Sequence, residues 1–302
     1  MLVTLNEVLP GAREGRYAVP AFDTREDVIV RAILETAEAE RSPVIMMTLE
    51  YDVQGNGLVY LPGLIRAVAD HHDIPVVLHL DHCWHEELVY ACIDRGYSSV
   101  MFDGSKLSFD ENARITGRIV KRAHPKGITV EAELGFVGGA TLDGKERAES
   151  VLTDPRDVRK FVELTEVDAL AVSIGTAHGV YKSEPKLNIE RLKEINEISP
   201  VPLVLHGGSG TPDDQVRDAI RNGISKLNLY ADVRIAMGRG FQEAAGKIDR
   251  PDPLPDVLFQ PIKDAISQVV RQKIHLTGSN GRAPGGGPAD ETPPTRAAGR
   301  VG

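Results

Sequence analysis

The sequence predicts a single (β/α)8 barrel, followed by one extra C-terminal helix and a disordered tail. Three observations carry that expectation. Short β-rich runs alternate with helical patterns eight times along the chain, the repeat of a barrel whose strands are each followed by a helix. The runs are continuous apolar stretches rather than clean polar/apolar alternations, as parallel strands covered on both faces require. Seven of the eight end on a polar or ionisable residue, at the face where barrels of this kind build their sites. A doubly wound open sheet is the runner-up. It would carry a Gly-rich dinucleotide turn after its first strand, where this chain reads AFDTRED (21–27).

The elements follow in order. Strand one is YAVPAFD (17–23), ending on Asp23. Strand two, SPVIMMT (42–48), runs into TLEYD (48–52). Strand three, IPVVLHLDH (74–82), stops on Asp81 and His82, and strand four, SSVMFDG (98–104), on Asp103. Strand five, ITVEAELG (128–135), ends on Glu133, and strand six, DALAVSIGTAHG (168–179), on His178. Strand seven, VPLVLHGG (201–208), ends on His206, and strand eight, ISKLNLY (224–230), on Asn228. Between them, Asp154-Pro155 and Thr211-Pro212 each place a capping residue before a proline at a first helical position. NIERLKEINEI (188–198) carries Ile189, Leu192, Ile195 and Ile198 on one stripe. The barrel takes residues 1–277. The stretch 278–302 is rich in Gly and Pro with almost nothing to bury, so it cannot offset its ordering entropy and is expected to be disordered.

The totals exclude several classes. The chain has 302 residues, 41% hydrophobic and 26% charged, with a formal net charge of -9. An acidic chain without a basic arm or helix is a poor nucleic-acid binder. Two cysteines, Cys83 and Cys92, are too few for a disulfide framework. The start, MLVTLNEVLPGAREG, lacks the charged and apolar regions of a signal peptide, and no apolar run approaches the roughly 20 residues of a membrane span. The expectation is a cytoplasmic enzyme with a small-molecule substrate.

The strand ends supply the chemistry. His82, His178 and His206 come from three strands and can meet across the barrel mouth. Three neutral imidazoles with a fourth position open form a catalytic zinc arrangement. Spacing alone does not select His82 over His79, because residues two apart share a strand face and His79 points with Asp81. His82 reaches the site only if the chain has left the strand by that point.

At this level the chain resembles a known family. HLDH (79–82), VEAELG (130–135), GTAHGVYK (175–182), LVLHGGSG (203–210) and KLNLYAD (226–232) are similar, in order, to the motif series of class II, metal-dependent ketose-bisphosphate aldolases, which include fructose- and tagatose-bisphosphate aldolases. The resemblance implies a catalytic zinc on His82, His178 and His206, with Asp81 exchanging a proton with the C4 hydroxyl. It implies a second cation position, divalent or monovalent, at Asp103 and Glu133. Gly179, Gly207, Gly208, Ser209 and Asn228 match the cradle for the dihydroxyacetone-phosphate half, and Lys182 a basic residue near its phosphate. It further implies a homodimer or homotetramer. The reaction would cleave or form the C3–C4 bond of a phosphorylated ketose through a metal-stabilised enediolate.

The substrate end departs from the pattern. Asp23 stands where the family has Asn, and TLEYD (48–52) where it offers a small polar residue. After Gly138-Gly139 the chain gives Ala140 and Thr141 before any acid. Ala231 replaces a cradle threonine, Tyr230 stands where fructose-type members tend to have Asp, and Arg234 lies where some members contact a second phosphate. Alternatives are an aldolase for a non-standard ketose phosphate, or a non-catalytic sugar-phosphate-binding paralogue. A Schiff-base aldolase would have to use Lys226, the one strand lysine.

Overall fold

A computed structural model describes residues 2–140, 147–179, 181 and 184–284. Eight parallel strands close a barrel in sequential order: β1 (Val19–Asp23), β2 (Val44–Leu49), β3 (Val76–Cys83), β4 (Ser99–Phe102), β5 (Thr129–Leu134), β6 (Ala169–Val172), β7 (Leu203–Leu205) and β8 (Ile224–Leu229). Every residue of β1, β3, β5 and β8 is buried, which is why the strands read as unbroken apolar runs.

Helix α1 (Leu5–Gly15) precedes the barrel. Its Leu5, Val8, Leu9 and Ala12 pack with Val19, Ile45, Val77 and Val204 from the barrel interior, closing that end of the barrel. The outer helices are α2 (Asp27–Ala39), α3 (Gly57–Ala69), α4 (Glu86–Asp94), α5 (Phe109–Ala123), α6 (Pro155–Thr165), α7 (Ile189–Ile198), α8 (Asp213–Arg221) and α9 (Ala231–Ala245). The extra helix is α10 (Pro255–Thr277), packed on α9 and α2. As expected, Asp154 caps α6, accepting from Arg156 N at 3.0 Å. At α8 the cap falls one residue later than expected, on Pro212. Thr211 is drawn away because its hydroxyl bonds Gly207 O at 3.2 Å.

Three expectations change. The apolar pattern of strand six continues to Gly179, but β6 stops at Val172, and Gly175 then adopts φ +114° with Lys186 O too near for any Cβ. His178 therefore sits on a loop. The chain does not leave β3 before His82. Leu80 and Cys83 pair with Val100 and Phe102, so β3 carries one extra residue against β4. His82 has φ +43° at this bulge, and the bulge resets which face it presents. Finally, residues 278–284 were assigned to an unpacked tail, yet they turn back at Gly278 (φ +69°) and dock. Gly281 N and Ala283 N bond Glu40 O and Arg41 O at 2.9 and 2.8 Å, and Ser279 and Ala283 are buried. Few apolar groups are needed when the backbone finds partners. The rest of that expected tail lies outside the described residues.

Candidate metal centre and active site

The bulge lets two consecutive residues of β3 face the barrel mouth. Asp81 Oδ1 accepts from Asn228 Nδ2 at 2.9 Å, while His82 Nε2 lies 3.1 Å from His178 Nε2 and 2.7 Å from His206 Nδ1. Three imidazoles from three elements thus converge on one point. His79 is absent from this meeting: it lies fully buried below, with Nδ1 on Ser99 Oγ at 2.8 Å.

Carboxylates hold the outer sides of two rings. His82 Nδ1 contacts Asp103 Oδ2 at 2.9 Å, and His206 Nε2 contacts Glu131 Oε1 at 2.9 Å. Such contacts fix tautomer and ring angle, leaving the facing lone pair for a ligand. Asp103 is itself held by Trp84 Nε1 at 3.0 Å and by the N–H and hydroxyl of Ser105. His178 is set by its backbone. Its N–H donates to Gly138 O at 2.8 Å and its C=O accepts from Ala140 N at 2.9 Å. Gly139 has φ +121°, and a Cβ there would lie 2.2 Å from His178 N, so only glycine permits this approach.

The electrostatics ask for a cation at the convergence point. Burial opposes charge on His82, but Asp81, Asp103 and Glu133 push its pKa up to about 10. Burial and the neighbouring rings push His178 down to about 3 and lower His206. A protonated His82 thus faces two neutral imidazoles. Glu133 Oε2 is buried with no hydrogen-bond partner among the described residues, 3.5 Å from His206 Nδ1. Among the described residues three groups are spaced closely enough to hold a metal: His82, His178 and His206; His82, Asp103 and Glu133; and His79, Asp81 and Glu131, the last of which already surrounds the Lys226 ammonium. Burial works against a charged Asp81, yet His82, His79, His206 and Lys226 hold its carboxyl well below the usual range. It is a buried carboxylate held in its ionised form.

Asp81, His82, Asp103 and His178 border a cavity of about 1050 Å³, which Gly179, Gly207, Ser209, Asn228, Tyr230, Ala231 and Arg234 also line. Gly207 (φ +68°) lies so near Ala177 O that a Cβ would sit 2.6 Å from it. Gly208 is set back, its N–H bonded to Asn228 O at 3.1 Å. Ser209 Oγ accepts from Asp232 N at the start of α9, at 3.3 Å. Arg234 Nη1 donates to Tyr230 OH at 2.8 Å with its guanidinium over the ring. Lys182 and Thr141 lie outside the described residues. Sequence reasoning missed Glu131, two residues before Glu133 on the same strand face, where the alternation itself was the available signal. It also missed Tyr181, inside the GTAHGVYK motif, whose OH accepts from Ala177 N and donates to Gly207 O, both at 2.9 Å. Asp23, at the end of β1, is buried with Oδ1 unpartnered among the described residues. Among the described residues, no helix is long and apolar enough to cross a membrane.

Comparison with known proteins agrees along most of the chain. The family model described as fructose-bisphosphate aldolase class-II matches residues 3–282. A fructose-bisphosphate aldolase of Giardia intestinalis is 38% identical, across 93% of this chain and 94% of its own. One of Geobacillus stearothermophilus is 38% identical across 93% and 99%. Among solved structures, the YdjI aldolase of Escherichia coli K12 superposes with a TM-score of 0.83 at 32% identity, covering 94% of this chain and all of its own.

Proposed function

The chain belongs to the class-II fructose-bisphosphate aldolase family and is an aldehyde-lyase of that family, and from that premise we propose a zinc enzyme that cleaves the C3–C4 bond of a phosphorylated ketose other than fructose 1,6-bisphosphate. The observation that carries the reading is the meeting of His82, His178 and His206 beside the ionised Asp81, with Asp81, His82 and His178 lining the cavity.

Zinc is the metal that three imidazoles with an open position suit best. When bound it supplies a Lewis acid for the ketose oxygens and offsets the charge left as the C–C bond breaks. Asp81 accepts the C4 hydroxyl proton. The Asn228 amide on Asp81 Oδ1 holds the carboxylate in line, as a base needs hydrogen-bond reach before it needs the right pKa. Gly179, Gly207 and Ser209 cradle the phosphate of the dihydroxyacetone half, a nest of the kind successive backbone N–H groups form, with Gly208 supporting the turn and Lys182 supplying charge. Asp103 orients His82, and with Glu133 it offers a second cation position.

The relatives' names argue for fructose 1,6-bisphosphate, but two residues of this cavity argue against it. Ala231 has no hydroxyl to give a phosphate. Tyr230, bridged to Arg234, fills space beside the substrate's middle hydroxyls. We therefore keep the reaction and move the substrate. The test is a screen of ketose mono- and bisphosphates with the zinc-loaded protein, reading dihydroxyacetone phosphate release by a coupled assay. Fructose 1,6-bisphosphate should be poor and another ketose phosphate better. Cleavage of fructose 1,6-bisphosphate with kcat/KM near the ~10⁴–10⁸ M⁻¹s⁻¹ usual for enzymes would overturn the substrate assignment.

A further inference from the structure

Lys226, the only lysine the sequence puts in a strand, is not where a Schiff base could form. It lies in β8, fully buried, and does not line the cavity. Its Nζ donates to Glu131 Oε2 at 2.7 Å, approaches His79 Nε2 at 3.3 Å and stands 3.9 Å from Asp81 Oδ1. Glu131 turns its other oxygen to His206 Nε2 at 2.9 Å. Glu131 and His79 are fully buried as well. One buried chain therefore joins Lys226, Glu131 and His206 to the point where the three imidazoles meet, and the same ammonium faces the base.

Burying a lysine and a glutamate is costly, and a well-packed apolar residue of similar volume is often the more stable choice. Several other interior positions are filled by apolar residues: Val19, Met47, Val77, Met101 and Val204 are buried there. The ion pair needs a reason beyond packing. A neutral imidazole has one N–H, and giving it from Nε2 to a carboxylate leaves Nδ1 as the free lone pair. We propose that Lys226 and Glu131 are a pair of positioning residues: Lys226 pins Glu131, and Glu131 pins His206 so that Nδ1 faces the metal. The pair acts through His206 rather than on substrate, and the inference rests on the metal-dependent reading above.

The test uses the full chain, with Lys226→Met, Glu131→Gln and the double variant. Zinc affinity is measured by competition with a chromophoric chelator, the visible d–d spectrum after loading with cobalt(II), and melting temperature in parallel. Each single variant should weaken zinc about 10–100-fold, the usual effect of losing a partner of a metal-ligating histidine. Each should also shift the cobalt spectrum. The double variant should be no weaker than the weaker single, because both changes break one contact chain. Glu131→Gln is isosteric and reads the same contact should Lys226→Met fail to fold. Lower melting temperatures with zinc affinity and cobalt spectrum at parent values would overturn the assignment, as would fully additive losses. Should the parent bind neither zinc nor cobalt, the metal-dependent reading itself falls, and this pair's role with it.

Discussion

The two sides of the cavity are built differently. At the ends of β3, β5 and β7 the working groups are buried, and each is held by a second residue: His82 by Asp103, His206 by Glu131, Asp81 by Asn228. At the junction of β8 and α9 the working surface is half-buried or exposed. It consists of backbone, a tyrosine and an arginine that hold mainly each other. By the sequence resemblance, the buried side keeps the family's residues and the open side departs from them. A buried charge cluster tolerates little change, since every member is another's partner, whereas an exposed corner can change one hydrogen bond at a time. In the proposed reading the chemistry is fixed on the first side and the substrate chosen on the second.

That contrast can be broken from either side. The largest effect is expected at His178. His178→Ala should lose most of the metal and the activity, while His79→Ala should keep its zinc, because His79 faces Ser99 and Lys226 below the cluster. Zinc content by elemental analysis decides it, and full retention in His178→Ala removes that residue from the ligand set. Asp81→Asn comes next. It should keep metal and fold but lose about 10²–10⁴-fold in cleavage, the typical share of a general acid/base. A loss below about tenfold points to another base.

A smaller effect tests the backbone that sets His178. In Gly139→Ala the new Cβ must displace His178 N from 2.2 Å, so zinc affinity should fall about 10–100-fold while the barrel still folds. Parent-like affinity would mean that the loop after β5 does not position the ligand. The smallest effects belong to the open corner. Ala231→Thr restores a hydroxyl donor, and one hydrogen bond to a charged group is worth roughly 1.5–3 kcal/mol. Its KM for the phosphorylated substrate should drop about tenfold, with kcat little changed. Tyr230→Asp should raise activity on fructose 1,6-bisphosphate. If neither variant moves these parameters, substrate choice lies elsewhere in the cavity.

What could be read in the sequence divides along the same line. The barrel and its eight strands were legible because burial on both faces leaves an apolar run. The histidines were legible as polar ends of those runs. The choice of His82 over His79 was not legible from spacing, since it depends on a bulge that adds one residue to β3, and bulges have no fixed sequence signature. His178 looked like a strand end because SIGTAHG continues an apolar pattern, whereas its position comes from backbone bonds to Gly138 and Ala140 on a loop distant in sequence. Lys226 was legible as a lone strand lysine and Glu131 as a residue alternating with Glu133, but their pairing was not. A charged pair inside two apolar strands looks like an interruption until the fold brings its members to 2.7 Å.

The most direct test of the account is triose phosphate release measured on one preparation before chelation, after exhaustive chelation and after zinc is returned. The account predicts cleavage of a ketose phosphate that is abolished by the chelator and restored by about one zinc per chain, with no product trapped on a lysine by borohydride. Cleavage that persists after the metal is gone, or that borohydride stops by modifying the protein, would contradict it.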